Sequence, residues 1–313
     1  MSDFSATGVI YTEHSALRAS TPIMSLWSFQ SAARERNRPT VAQRPDGSQE
    51  FWLERCDPLL NTILPGMAVS IVVNFGDLWA AGRSLPASSL IPRVSVIGPC
   101  TQSRILRVER SVRAIGAVLP TSLACDLFGV AASALVDRIV PLDDLWGDDR
   151  PERLLDSLAL LDGRQSVSVL MDVLRSRIGE LSSREPVAAM AARAITVRNG
   201  NVSIARMARA HGLSRHQFAR RFTESAGVPP KLFARIARFQ ALVQSLLVTD
   251  VAQWASLSSG LGFYDQAHMI NEFHTLAGAP PTTFFQPHDT SIDPARIHLR
   301  GRPNDWMERT RAR

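Results

Sequence analysis

Cysteine is scarce in this 313-residue chain, which contains only Cys56, Cys100 and Cys125. An odd number at wide spacing argues against a disulfide framework and against a metal site built from cysteine pairs. We expect each to be a small packing residue in a reducing, cytoplasmic compartment. The chain also lacks a basic and apolar leader and any apolar run of about 20 residues, so neither a signal peptide nor a membrane segment is expected.

Lysine is nearly absent as well, because Lys231 is the only lysine among 35 basic residues. We attribute the preference for arginine to a GC-rich genome. The formal net charge is +6 and the sequence pI is about 10.1. A basic balance permits nucleic-acid binding, but the position of the charge along the chain decides whether binding is indicated.

The patterns typical of catalytic and metal sites are missing from the sequence. We find no nucleophile paired with a base, no glycine-rich phosphate loop and no His/Cys cluster at metal-ligand spacing. Helix geometry sends most of the seven histidines to different faces. We therefore expect no enzyme, no metal and no cofactor. The five histidines of the C-terminal part are His211, His216, His268, His274 and His288.

The length of the chain suggests two domains with flanking segments. We predict an N-terminal arm, partly loop, over residues 1–48 and a first domain over 49–183. The polar, proline-containing stretch 182–186 marks the boundary. A helical domain that begins with a helix over 187–197 is predicted over 186–288. A basic tail, expected to be disordered, is predicted over 289–313.

Short strand-like segments dominate the first domain. They are rich in β-branched or alternating apolar residues, and Gly or Pro turns separate them. This pattern predicts a small antiparallel sheet or barrel. The segments are 67–75, 94–97, 104–109 and 112–119.

Helical spacing replaces the strand pattern after Pro120. Leu135 and Ile139 are four residues apart, and apolar stripes begin at Leu154 and Val169. The predicted fold class is therefore α+β, with a small antiparallel sheet or barrel followed by helices, and then an all-α domain. The apolar positions of the first domain either enclose a ligand pocket or fill a core.

One pattern occurs twice in the last third of the chain. Phe222-x4-Gly-Val-Pro-Pro-x-x-Phe returns 51 residues later as Phe273-x4-Gly-Ala-Pro-Pro-x-x-Phe. Upstream, Ile204-x-x-Met-Ala-x3-Gly-Leu returns 50 residues later as Trp254-x-x-Leu-Ser-x3-Gly-Phe. The chain therefore contains two copies of one helical unit, with one residue inserted into the turn of the second.

The first copy has the pattern of a helix-turn-helix. Ser203 can cap a short helix over 204–210, and Gly212 suits the turn. Ser214-x-x-Gln217 is a capping box that marks the start of a second helix. A helix of this kind fits the DNA major groove, which is about 12 Å wide, and its N-terminal half meets the base edges.

The outward positions of this second helix are the candidate DNA-binding residues. Arginine and glutamine can make paired hydrogen bonds to guanine or adenine, whereas phosphate contacts supply affinity without sequence information. Gln217 is alternatively occupied by the capping box. We assign Arg215, His216 and Gln217, together with Ser214 at the helix start, mainly to base reading, and Arg220 or Arg221 to phosphate or bases.

Charge distinguishes the two copies. Residues 201–240 contain eight basic residues and one acid, Glu224, whereas residues 241–289 contain four acids and no Lys or Arg. The second copy should therefore bind phosphate poorly. Its outward candidates are Asp265, Gln266, His268, Asn271 and Glu272. It either reads bases through Gln266, His268 and Asn271 or acts mainly as scaffold. A helix of about 17 residues, about 25 Å long, is predicted between the copies.

The repeat resembles the AraC/XylS family of bacterial transcription regulators. The resemblance covers about residues 187–287, and the stretch 257–273 followed by Gly278-Ala-Pro-Pro is similar to the family's signature. The chain departs from it at Ser258, Tyr264, Met269 and His274. Residues 128–132 and 140–146 are similar to an uncharacterised sensing domain. The resemblance implies a DNA-binding domain over 186–288 and an effector-binding or dimerisation domain over 49–183.

We therefore expect a sequence-specific transcription regulator that binds double-stranded operator DNA. Its expected partners are a small-molecule effector, RNA polymerase and a second copy in a homodimer, and no membrane. An alkyl-transfer DNA repair regulator with a reactive cysteine is one alternative, although the three cysteines lack clustered Cys/His partners. A nonspecific architectural DNA binder is the other.

Overall fold

The computed structural model describes residues 59–108, 113–147, 150–179, 187–246 and 254–284, together with the backbone of five strands before residue 59. Cys56, the predicted boundary stretch and the predicted tail lie outside these residues. None of the helices in the described ranges is long and apolar enough to span a bilayer.

The N-terminal half is built from antiparallel strands, including four within the first 48 residues. In chain order they are β1 Ser2–Phe4, β2 Ile10–His14, β3 Ser25–Gln30, β4 Thr40–Gln43, β5 Gln49–Trp52, β6 Leu59–Ile63, β7 Ala68–Asn74, β8 Trp79–Gly82, β9 Ser89–Leu90, β10 Val94–Ile97, β11 Arg104–Val108, β12 Arg113–Pro120 and β13 Ile139–Pro141.

The described strands form two larger sheets and one hairpin. Seven of them lie in the order β1-β2-β3-β12-β7-β10-β13, four lie in the order β6-β11-β8-β9, and β4 pairs with β5. The four segments predicted from the sequence are thus β7, β10, β11 and β12. Three of these, β7, β10 and β12, are neighbours at the buried centre of the larger sheet. The arm contributes β1, β2 and β3 to the same sheet.

Helices occupy the rest of the described chain. They are α1 Ala124–Phe128, α2 Ala132–Leu135, α3 Asp143–Trp146, α4 Arg150–Ala159, α5 Gly163–Gly179, α6 Val187–Val197, α7 Ile204–Ala210, α8 Arg215–Ala226, α9 Pro230–Leu246, α10 Trp254–Gly260, α11 Gln266–Ala277 and α12 Pro281–Phe284.

Strand alternation gives the larger sheet two apolar faces. Val69, Ile71 and Val73 of β7 face a core shared with the helices α1, α2, α4 and α5. Ala68 and Val72 of the same strand face a second core, which the smaller sheet closes with Trp79 and Leu106 among others. The first domain is therefore three layers, small sheet, large sheet and helices, as the α+β prediction requires.

Two sequence expectations in this domain are wrong. Ile139 does not continue a helix from Leu135, because the chain turns at Asp137, with φ +57°, and Ile139 then pairs with Ile97 in the sheet. Cys125 is exposed instead of packed, because α1 buries Ala124, Leu127 and Phe128 on its other face.

The second domain runs from α6 to α12 around one apolar core. Helices α6 and α9 match the predicted stretches, and α9 has the expected 17 residues. Two residues of the turn between β6 and β7 also belong to this core: Leu64, which is 0% exposed, and Met67. Close by, Gln240 Nε2 of α9 donates a hydrogen bond to the Pro65 carbonyl oxygen at 3.3 Å. The two domains therefore share a continuous buried contact.

Candidate nucleic-acid interface

Helices α7 and α8 form the first helix-turn-helix unit. Ser203 caps α7 by accepting a hydrogen bond from the Arg206 backbone N–H at 3.3 Å. Gly212 in the turn has φ +64°, a value that favours glycine. Phe218 and Phe222 of α8 are 1% and 0% exposed, so these two rings hold α8 against the core. Their positions confirm that the opposite face of α8 points outward.

The exposed face of α8, here called the reading face, carries the residues predicted to bind DNA. Arg215, His216 and Gln217 are exposed in its first turn, and Arg220 and Arg221 are exposed one turn later. Glu224, the one acid of this stretch, has its Oε1 3.8 Å from Arg220 Nε, and both side chains are about two-thirds exposed at 67% and 65%. An exposed pair of this kind contributes little stability, so the arginine is available to another anion.

Two of the predicted DNA-binding side chains also cap α8. Ser214 Oγ accepts from the Gln217 backbone N–H at 3.2 Å, and Gln217 Oε1 accepts from the Ser214 backbone N–H at 3.1 Å. This is the capping box predicted from the sequence. It leaves the Gln217 amide N–H₂ free to donate but commits the amide oxygen. Base contact by Ser214 or Gln217 therefore stays a prediction and competes with the cap.

Helices α10 and α11 form the second unit. Asp265 caps α11 by accepting from the His268 backbone N–H at 2.7 Å. Met269 and Phe273 are both 0% exposed and take the positions of Phe218 and Phe222 in the first unit. Gln266 and Asn271 are exposed, as predicted for base-reading residues.

His268 is exposed as well, with its side chain at 45%, but its ring also makes contacts within the unit. Nδ1 accepts from the Tyr264 backbone N–H at 3.3 Å, and the ring lies edge-on to Phe263 with centroids 5.6 Å apart. Nε2 lies 3.6 Å from Glu272 Oε2. Nδ1 of His268 is therefore engaged within the protein.

Glu272 is not an outward residue, contrary to the expectation for its helix position. Its side chain is 7% exposed, and Oε2 lies 3.5 Å from Arg235 Nε of α9. Arg238, one turn further along α9, lies over the Phe263 ring, with the guanidinium carbon 5.3 Å from the ring centroid. Two of the eight basic residues counted toward a DNA-facing charge are thus turned toward the second unit.

Tyr264 is the exposed aromatic residue that the sequence interpretation missed. Gly212-Leu213 of the first turn correspond to Gly262-Phe263 of the second, and the cap Ser214 corresponds to Asp265. Tyr264 is therefore the extra residue of the second copy. Its side chain is 93% exposed, although Phe263 beside it is buried. The one-residue difference between the two repeats was the available signal, because an inserted residue has no place in the repeated core.

Two core-anchored helical units joined by α9, the first of them with a basic exposed face, define a DNA-binding protein of the helix-turn-helix class. A family described as "Helix-turn-helix domain" matches residues 207–287, which include α8 to α11. The chain therefore contains an AraC-type helix-turn-helix domain, the DNA-binding domain of AraC-type transcription regulators.

Several solved structures are similar to the chain at low sequence identity and low TM-score. ToxT from Vibrio cholerae is 10% identical, with 74% of this chain and 94% of that chain covered and a TM-score of 0.41. ToxT of strain SCE256 bound to an unsaturated fatty acid is 11% identical, with coverages of 77% and 99% and a TM-score of 0.38. The AraC-like activator CuxR is 12% identical, with coverages of 81% and 90% and a TM-score of 0.25.

No curated protein sequence matches the chain at a significant level. The assignment therefore extends only to the helix-turn-helix domain over residues 207–287. Among the described residues, no group of three or more His, Cys, Asp or Glu side chains is placed to hold a metal ion.

Proposed function

We propose that the protein reads a specific operator by placing α8 and α11 in successive major grooves, with residues 186–288 as the DNA-binding domain. The observation that carries this proposal is the reading face of α8, where basic side chains are exposed opposite two fully buried phenylalanines. Helix α9, with 17 residues, is about 25 Å long and separates the units rigidly. Successive grooves on one DNA face lie about 34 Å apart.

The roles on α8 follow from side-chain chemistry. Arg215 and His216 lie in the first turn and contact base edges, with Gln217 and Ser214 contributing where the cap allows. Arg220 and Arg221 lie one turn later and contact phosphates or bases. The guanidinium of arginine matches both guanine and phosphate in a bidentate geometry.

The second unit contributes fewer contacts. Gln266 and Asn271 are exposed and suit adenine. His268 is exposed too, but its Nδ1 accepts from the Tyr264 backbone N–H, which leaves Nε2 as the ring nitrogen for a base contact. Tyr264 is placed to donate its hydroxyl to a phosphate oxygen beside that helix start. A neutral donor suits a unit without Lys or Arg.

Selection from random DNA duplexes tests sequence-specific binding. We expect an enriched sequence with two elements, the stronger one read by α8. A footprint on that sequence should be confined to one site. Selection that returns no enriched sequence would exclude specific reading, and uniform protection of any duplex would favour an architectural binder.

We further propose that a small molecule binds between the two sheets of the first domain, residues 49–183. Trp79 Nε1 and Ser95 Oγ are buried there, and neither has a hydrogen-bond partner among the described residues. Trp79 belongs to the core between the sheets, and Ser95 shares the strand face of Ile97 in the same core. Since an unpaired buried polar group costs about 1–3 kcal/mol, a ligand with an acceptor would recover part of that free energy.

The ligand class is therefore an apolar molecule with a hydrogen-bond acceptor. A panel of apolar carboxylates and ketones should raise the Tm of the protein, and Trp79→Phe should remove that response. Trp254→Phe is the matched control, because Trp254 Nε1 is also buried and unpaired among the described residues but lies in the other domain. An unchanged response in Trp79→Phe would contradict the site. Contact with RNA polymerase and formation of a homodimer stay predictions.

A further inference from the structure

The C-terminal end of α11 is capped by a residue of the first domain. Ser103 Oγ donates to the Ala277 carbonyl oxygen at 2.8 Å, and the Ser103 backbone N–H donates to the Leu276 carbonyl oxygen at 3.2 Å. The last carbonyls of a helix have no partner within the helix. Ser103, which belongs to the first domain, therefore satisfies two of these carbonyls and fixes the end of α11.

The C-terminal end of α8 also lies against the first domain. Gly227 caps the C-terminal end of α8, and a Cβ there would lie 3.0 Å from the Ala132 carbonyl oxygen and 2.9 Å from Val136 Cγ2. Val136 is partly buried against the core of the second domain. The first reading helix therefore ends in close contact with α2 and the residue that follows it.

Asp137 links the segment of Ser103, which contacts α11, to the segment of Val136, which contacts α8. Its carboxylate accepts from the Thr101 backbone N–H at 2.8 Å and from Thr101 Oγ1 at 2.5 Å. The Asp137 backbone N–H donates to the Pro99 carbonyl oxygen at 2.7 Å, and Arg104 Nη2 lies 3.5 Å from Asp137 Oδ1. Asp137 follows Val136 directly, and Thr101 lies two residues before Ser103. Hydrogen bonds therefore join residues 99–104 to residues 136–137, and this linked pair of segments is here called the bracket. It contacts the C-terminal ends of both α8 and α11, here called the reading helices.

We propose that this bracket sets the distance and angle between α8 and α11, so that Ser103 and Asp137 are positioning residues for DNA reading. The proposal rests on the proposed function, since it requires both units to contact DNA. The bracket is separate from the main domain contact, where Leu64 and Gln240 hold α9. Loss of the bracket should therefore allow the angle between α8 and α11 to vary, while the contact around Leu64 and Gln240 keeps the two domains associated.

Helix length makes the angle important. Helices α8 and α11 have 12 residues each and are about 18 Å long. The bracket holds their C-terminal ends, whereas Arg215 and Gln266 lie at their N-terminal ends. Simple leverage along a helix of that length means that a tilt of roughly 10° moves the reading end by about 3 Å. That displacement approaches the base-pair rise of about 3.4 Å.

Spacing dependence is the readout that distinguishes positioning from general stability. Duplexes carrying the selected operator with one base pair inserted or deleted between its two elements are compared with the optimal duplex. For the wild-type protein we expect roughly a tenfold loss of affinity per base pair, as when one element's contacts are displaced. In the double variant Ser103→Ala/Asp137→Ala we expect weaker binding to the optimal duplex and a loss of less than about threefold on changing the spacing.

Ser88→Ala is the matched control. Ser88 Oγ donates to the Leu85 carbonyl oxygen at 2.8 Å, the same kind and length of bond as Ser103 makes, but within the first domain. This variant should keep the wild-type spacing dependence. The single variant Ser103→Ala, which loses the Oγ bond alone, replaces the double variant if circular dichroism shows that the latter is unfolded.

An unchanged spacing dependence in the folded bracket variant would overturn the proposal. A wild-type operator with a single element would also overturn it while leaving specific DNA binding intact. Failure to select any sequence would instead remove the proposed function on which it rests.

Discussion

Arg235 Nε lies 3.5 Å from Glu272 Oε2, and this ion pair joins the linker helix α9 to the reading helix of the second unit. The two partners differ in exposure, since Arg235 is 44% exposed and Glu272 is 7% exposed. Glu272 Oε1 is buried without a partner among the described residues. The buried carboxylate therefore needs Arg235 as a partner, whereas water can solvate much of the Arg235 side chain.

Removal of the arginine should destabilise the protein more than removal of the charge on the acid. In Arg235→Ala the buried carboxylate keeps only His268 beside it, and we expect the free energy of unfolding to fall by about 2 kcal/mol. Glu272→Gln removes the buried charge and leaves an exposed arginine in water, so we expect a loss below about 1 kcal/mol. Urea denaturation measures both, and an equal or larger loss in Glu272→Gln would contradict this account.

Gly227→Ala should destabilise the protein more than Gly212→Ala. Both glycines have positive φ, +84° and +64°, so each alanine is strained by about 1–2 kcal/mol. A Cβ at Gly227 meets α2 of the first domain, whereas a Cβ at Gly212 meets nothing within 4 Å. We expect an additional loss of about 1–3 kcal/mol from overpacking at Gly227. Chemical denaturation that gives equal losses would show that the close contact at Gly227 is absent.

The two units should contribute unequally to DNA affinity. Arg215→Ala and Arg220→Ala should each weaken operator binding by about 1–3 kcal/mol. Gln266→Ala and Asn271→Ala should cost less, because the second unit lacks Lys and Arg. Titration of the selected operator at one fixed salt concentration measures all four, and equal losses across the two pairs would refute the asymmetry.

Salt dependence should separate the basic residues that face DNA from those that face the protein. Arg221→Ala should reduce the slope of log affinity against log salt by about 0.9, as expected for the loss of one phosphate contact. Arg238→Ala is the matched control, because its guanidinium lies over the Phe263 ring. A larger slope change in Arg238→Ala than in Arg221→Ala would reverse this assignment.

The capping box should make Ser214 and Gln217 important for stability as well as for recognition. Ser214→Ala removes the acceptor for the Gln217 backbone N–H and should cost about 1 kcal/mol of stability. Gln217→Ala removes the reciprocal bond and should cost a similar amount or less. If Gln217 also reads a base, Gln217→Ala will change the selected sequence at one position. An unchanged selected sequence would assign Gln217 to the cap alone.

Local patterns were sufficient to predict the helices of the second domain. Helix α6 has the predicted bounds Val187–Val197, and the capping box at Ser214 marks the observed start of α8. These features depend on residues within four positions of one another, so a single sequence contains them. The same holds for β7 and β10, whose apolar runs end at Gly-Asp and Gly-Pro.

Contacts between distant residues could not be predicted in this way. Glu272 looks like a solvated residue until α9 brings Arg235 against it. Ser103 and Ala277 are separated by 174 residues, and a serine in a turn carries no sign of a helix that it caps. Leu64 belongs by sequence to the first domain but is buried in the core of the second. Local sequence patterns therefore predicted the helices and strands, but not the surfaces at which the two domains contact each other.

The burial of Leu64 bears on how such a regulator can be recombined with other proteins. A chimera that keeps α6 to α12 and replaces everything before residue 187 would leave a hole where Leu64 and Met67 fill the core. A donor sensing domain would have to supply a turn of matching shape at that point. A sensing domain must therefore fit the core of the helical domain at this turn, in addition to binding its own ligand.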